Sequence, residues 1–141
     1  MVNYFADTGY WLALLDTGDD LHTKASQLAE TIEAQAGAKI YTTDLVLAEL
    51  LNSKPIYANP RIRLVATELV IEIRASEEVE VIGLTGEVFG AALLRYKAYR
   101  DKEWSLTDCL SFVVMEHYGI REALAHDHHF SQAGFRTLMR E

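Results

Sequence analysis

One cysteine in 141 residues, Cys109, leaves no partner for an internal disulfide. Both prolines, Pro55 and Pro60, fall within one short segment, so residues 53–60 are read as a loop. No uncharged apolar run approaches membrane length, and no cationic leader precedes an apolar core with a cleavage site. A single domain over residues 1–141, in a reduced cytoplasm and without a membrane partner, is expected. Cationic residues are scarce as well: 13 Lys and Arg against 21 Asp and Glu give a formal net charge of −8. That balance excludes a protein that coats nucleic acid through many phosphate contacts, but it does not exclude a nuclease. The shortage is uneven. Through Ser53 only Lys24 and Lys39 are basic, whereas Arg95, Lys97, Arg100 and Lys102 crowd into one strip.

Half of the residues are hydrophobic, and they recur with two alternating periods. Val2–Ala6, Lys39–Thr42, Val79–Gly83 and Glu122–Ala125 read as buried strands, with Arg136–Met139 as a fifth, short edge strand. Between them lie helical stretches. Thr8–Leu15 is the first, and Leu21, Ala25, Leu28, Ala29 and Ile32 repeat up to a terminating Gly37. Thr43 is placed to cap a helix over Asp44–Asn52, and Ile62, Val65, Ala66, Leu69 and Ile73 mark another. A further helix is read with Val88, Ala92, Tyr96 and Tyr99 on its buried side, and Ser105–Tyr118 closes at Gly119. Strands alternating with helices predict an α/β fold, with a mostly parallel sheet of four or five strands covered on both faces. Ligands of such sheets bind beyond the carboxyl ends of the strands.

Four carboxylates stand out against this pattern. Asp7 ends the first strand, Glu49 interrupts the apolar run from Leu45 to Leu51, Asp108 opens the last long helix, and Asp127 follows the fourth strand. Each has an ordinary reading: Asp7 as a helix N-cap, Asp108 as part of a Ser105-x-x-Asp108 capping box, Asp127 as a turn residue, and Glu49 as a partly exposed rim residue. Their joint placement points instead to one acidic pocket. Buried, unpaired carboxylates are costly, and a hard divalent cation relieves their repulsion by accepting several oxygens, which predicts a Mg²⁺ or Mn²⁺ site. Asp101, before the helix of Asp108, is either solvated or an outer group holding a metal-bound water.

Other residues carry open alternatives. Thr8 either starts a helix or offers its hydroxyl to the acidic site or a scissile phosphate. Arg95 with Tyr99, and Tyr96 with Arg100, fall one helical turn apart and suit a single nucleic-acid strand, or else the tyrosines pack inside and the cations face water. Lys54, Arg61 and Arg63 flank the proline segment as further phosphate contacts. His126, His128 and His129 surround Asp127, as ligands for a softer ion such as Zn²⁺ or as loop residues, with His128 near substrate. Cys109 has no oriented base and reads as a buried thiol.

The segments Phe5-Ala6-Asp7-Thr8, Thr42-Thr43-Asp44-Leu45-Val46-Leu47-Ala48-Glu49, Trp104-Ser105-Leu106-Thr107-Asp108-Cys109 and Ala125-His126-Asp127-His128-His129-Phe130, in this order, resemble the PIN-domain family, particularly its VapC-like ribonuclease toxins. The resemblance covers nearly the whole chain. It implies a three-layer α/β/α sandwich and a Mg²⁺- or Mn²⁺-dependent endoribonuclease whose metal and catalytic residues are Asp7, Glu49, Asp108 and Asp127. It further implies a homodimer, a cognate antitoxin that binds DNA, and products with a 5′-phosphate and a 3′-hydroxyl. Relatives often carry a basic residue and then His after the fourth acid, where this chain has His128-His129. Two other readings compete: a catalytically silent PIN-like interaction module, and a receiver-like phospho-acceptor domain. The latter lacks an Asp after Val81-Ile82-Gly83-Leu84 and a matching Lys near the end.

Overall fold

Two hydrophobic periods resolve into five strands and eight helices in the computed structural model, which describes residues 2–141. In chain order they are β1 (Asn3–Ala6), α1 (Thr8–Leu15), α2 (His22–Glu33), β2 (Lys39–Thr43), α3 (Asp44–Leu51), α4 (Lys54–Tyr57), α5 (Pro60–Ala75), β3 (Val79–Ile82), α6 (Gly86–Ala98), α7 (Leu106–His117), β4 (Glu122–Leu124), α8 (His128–Gln132) and β5 (Arg136–Thr137), followed by a 3₁₀ turn over Leu138–Arg140. The sheet is parallel throughout, in the order β3-β2-β1-β4-β5.

That order sets where a ligand can bind. Parallel crossovers are right-handed, so the steps from β1 to β2 to β3 put α1 to α5 on one face, while the return to β4 and β5 puts α6 to α8 on the other. The packing agrees: α1 lies against α2, α3 and α5, whereas α7 lies against α6 and α8. The direction reverses between β1 and β4, and the chains diverging from their carboxyl ends leave a crevice there. A receiver-like domain would place β2, β1 and β3 in that sequence, so the strand order excludes that reading.

Registers hold the rim in place. Phe5 pairs with Tyr41 on one side and Ala123 on the other, and Ala6 pairs with Leu124. The Thr42 hydroxyl donates to the Ala6 carbonyl at 2.9 Å, tying β2 to the end of β1. Beneath the rim, Phe130 of α8 is fully buried, with its ring 6.4 Å from Phe5 and 5.0 Å from Phe112 of α7. Phe112 and Phe130 meet edge to face, and these large aromatic surfaces anchor the elements to one another.

Several expectations are corrected. Residues 53–60 are not all loop: Lys54–Tyr57 forms a helical turn with Pro55 in its first turn, and Pro60 starts α5 at a position where a missing N–H loses no bond. On α6, Ala92 is buried, but Tyr96 is 50% exposed and Tyr99, stacked on Trp104 at 5.0 Å, is 44% exposed. The histidines after Asp127 begin α8 rather than lying in a loop, and the edge strand is only two residues long.

Candidate active site

Asp7 leaves β1 with its backbone N–H still on the ladder, donating to the Leu124 carbonyl at 3.1 Å, so its position is fixed by the sheet at the crevice. It occupies the N-cap position of α1 without capping it, which removes the ordinary reading. The residue is 8% exposed. Burial, above all, raises its carboxyl to about 7; the Thr8 N–H opposes the shift, and the charges of Asp108, Glu49 and Asp127 add to it. The charges of the other three acids therefore all reach Asp7 across the crevice.

Asp108 is 7% exposed at the third position of α7. Here the capping box is formed: the Ser105 hydroxyl accepts from the Asp108 N–H at 3.0 Å, and Asp108 Oδ2 accepts from the Ser105 N–H at 3.0 Å. Burial pushes its carboxyl up, countered by the Ser105 N–H, with the Asp127 charge raising it further and His129 lowering it. Asp127, half-buried, caps α8 by accepting from the His129 N–H at 3.0 Å. Glu49 differs from expectation. The inner side of α3 is Val46, Leu47 and Leu50, which leaves Glu49 exposed, although its charge still reaches Asp7.

Ligand atoms of Asp127, His128 and His129 lie within 4.8 Å of one another. The His129 Nδ1 lies 3.0 Å from Asp108 Oδ2 and 3.1 Å from Asp127 Oδ1. Two features favour a hard cation over a softer one held by imidazole. Among the described residues Asp7 has no cationic partner to compensate its charge, and the Thr8 hydroxyl beside it is buried without a hydrogen bond. Oxygen donors of this kind suit Mg²⁺ or Mn²⁺, and the residues present fit such an ion.

The expected substrate groups are spread more widely. Thr8 lies at the crevice. Arg95 is held by Glu116 at 3.0 and 2.5 Å, with its guanidinium 6.0 Å from the Tyr99 ring, so it is not a free cation. Arg100 is exposed in the turn after α6, and His128 is exposed at the rim, 3.6 Å from Asp127. Lys54, Arg61 and Arg63 are exposed on α4 and α5, and Asp101 is exposed beside Lys102. Cys109 is buried, and burial pushes its thiol up, which removes it as a nucleophile. A cavity of ≈ 660 Å³ between α1, α2 and α5 opens at the amino ends of β2 and β3, away from the acids. Sequence reading grouped His129 with its neighbours; its spacing of two from the cap at Asp127, within the first turn of a short helix, was the available signal.

Residues 4–136 match the PIN domain family. The chain is 33% identical over 134 residues to the 23S rRNA-specific endonuclease VapC20 of Mycobacterium tuberculosis, covering 93% of this chain and 94% of that one. It superposes on the crystal structure of VapC20, described as a sarcin-ricin loop cleaving toxin, with a TM-score of 0.80, 30% identity and 94% and 96% coverage of the two chains. A chain of the Rickettsia felis VapBC2 complex, bound to a fragment of its promoter DNA, matches in fold with a TM-score of 0.60 at 13% identity, over 94% of each chain.

Proposed function

The chain belongs to the PIN-domain family, and from that membership we propose that it is a metal-dependent endoribonuclease, the toxin of a VapBC-type toxin–antitoxin pair. The observation that carries this reading is Asp7: a buried carboxyl raised to about 7, with three more carboxylates around it and an unpartnered hydroxyl beside it, at the point where the sheet reverses.

Asp7 and Asp108 are the principal ligands, and Glu49 and Asp127 complete the set directly or through water. A bound Mg²⁺ or Mn²⁺ supplies charge neutralisation at the phosphate and a lowered pKa for water. The chain's own groups do the rest. One carboxylate orients the attacking water and takes its proton as oxygen bonds to phosphorus; the phosphorus–O3′ bond breaks, and the 3′-oxygen leaves and takes a proton from solvent water. Products carry a 5′-phosphate and a 3′-hydroxyl. The Thr8 hydroxyl donates to a phosphate oxygen or a ligand carboxylate. Arg100 and His128, exposed near the rim elements, meet the RNA backbone.

Kinship with VapC20 makes a structured loop of ribosomal RNA the first substrate to try. The VapBC2 neighbour makes a cognate VapB-like antitoxin the expected partner, and the family resemblance suggests a homodimer as the working assembly. Among the described residues no helix is long and apolar enough to cross a membrane, and the cytoplasm is the proposed location. Purified protein incubated with total RNA and Mn²⁺ should cleave it, EDTA should stop cleavage, and Asp7→Asn and Asp108→Asn should each abolish it with the fold intact. Cleavage retained in both variants, or indifferent to the chelator, rejects the assignment. A folded protein that cuts no RNA but binds a partner points to a silent interaction module.

A further inference from the structure

Two carboxylates at this rim each have one loaded oxygen and one bare oxygen. Asp108 Oδ2 accepts from the Ser105 N–H and lies 3.0 Å from His129 Nδ1. Asp127 Oδ1 accepts from the His129 backbone N–H at 3.0 Å and lies 3.1 Å from the same Nδ1. Among the described residues, no donor reaches Asp108 Oδ1 or Asp127 Oδ2. Ionised carboxylates offer only lone pairs, so the ring nitrogen between them carries the hydrogen.

We propose that His129 is the positioning residue of the acidic rim: its Nδ1–H holds Asp108 by Oδ2, its backbone N–H holds Asp127 by Oδ1, and the other oxygen of each carboxylate is thereby turned towards a divalent cation. This rests on the nuclease reading above. The ring is suited to the task because it cannot drift. Its side chain is 15% exposed, its backbone N–H is tied to Asp127, and its neighbour Phe130 is fully buried between Phe5 and Phe112. One residue tied to both carboxylates, through its ring to Asp108 and through its backbone to Asp127, also fixes their separation. Without it, two like charges approach with nothing between them, and each side chain is free to rotate its bare oxygen away. Outer partners that orient ligands in this way typically matter about 10–100-fold in metal affinity. His128 does not serve the same end, because it is exposed and its Nδ1 stands 3.6 Å from Asp127 Oδ1.

Two variants separate donation from packing. His129→Leu keeps bulk without an N–H; His129→Asn keeps an amide N–H near the Nδ1 position without the ring. Mn²⁺ binding to the full chain, titrated calorimetrically without RNA, is the primary readout, and RNA cleavage the second. The leucine variant should bind Mn²⁺ about 10–100-fold more weakly than the parent, and the asparagine variant should recover most of that loss. Parent-like binding by the leucine variant, or equally weak binding by both, overturns the role of His129. Asp108→Asn is the control. If it abolishes Mn²⁺ binding while His129→Leu leaves it intact, only the His129 assignment falls. If the parent itself binds no Mn²⁺ and cuts no RNA, the nuclease reading falls with it.

Discussion

At the scale of single residues, Asp7 and Thr8 show a site arranged at the expense of the fold. Asp7 has its carboxyl raised to about 7, mainly by burial, whereas the unfolded chain holds it near the ordinary value of 3.8. The folded state thus binds this proton more tightly. Its contribution to stability is fully present below about pH 4 and is lost as pH rises through about 7, amounting to roughly 2–3 kcal/mol between pH 5 and pH 8. Thermal melts of metal-free protein should therefore show higher stability at pH 5 than at pH 8, and Asp7→Asn should flatten that dependence while abolishing cleavage. A steeper profile in the variant contradicts the assignment. The Thr8 hydroxyl, buried and unpartnered, behaves in the same sense. Replacing it with Val removes an unsatisfied group, so Thr8→Val should keep or raise the melting temperature while lowering RNA cleavage. A marked loss of stability would show that the hydroxyl has a partner in the folded state.

Elements carry the next level of organisation. The helix α7 starts with a complete capping box that also restrains Asp108, so a local folding signal and a site residue share the same four positions. Ser105→Ala should cost about 1 kcal/mol in a denaturant melt, and Ser105→Asn should recover most of it. Most elements were legible because their apolar spacing was regular, as in α2 and α5, or because their caps were explicit, as at Thr43 and Ser105. The face of α6 was not. Its tyrosines read as core because they continue the helical spacing of Val88 and Ala92, yet Tyr96, on that same row, is half exposed. The short α8 left too few residues for a period, and its histidines therefore looked like a loop. Prolines mislead for a related reason: they break helix interiors, but Pro55 and Pro60 stand where helices begin.

For the molecule as a whole, the crossing of the chain from β3 back to β4 is the decisive event, because it opens the crevice and gathers Asp7, Asp108, Asp127 and Glu49 from four separate elements. Those acids repel one another, and a cation that binds the folded state alone stabilises it by mass action, about 2.7 kcal/mol at a hundredfold excess over the dissociation constant. Mn²⁺ should raise the melting temperature in a concentration-dependent manner, EDTA should reverse the rise, and Asp108→Asn should remove most of it. No shift with Mn²⁺ up to millimolar concentrations contradicts cation binding at the rim.

Sequence alone determined the alternation of strand and helix and the parallel sheet it requires, and it singled out four acids as candidates, because periodicity and misplaced charge are local properties. Tertiary structure alone decided which oxygens are free. The exposure of Glu49 and the ring of His129 beside Asp108 and Asp127 depend on how α3, α7 and α8 meet at the reversal of the sheet. Burial and the direction of a hydrogen bond are set by neighbours distant in the chain, and no local pattern encodes them.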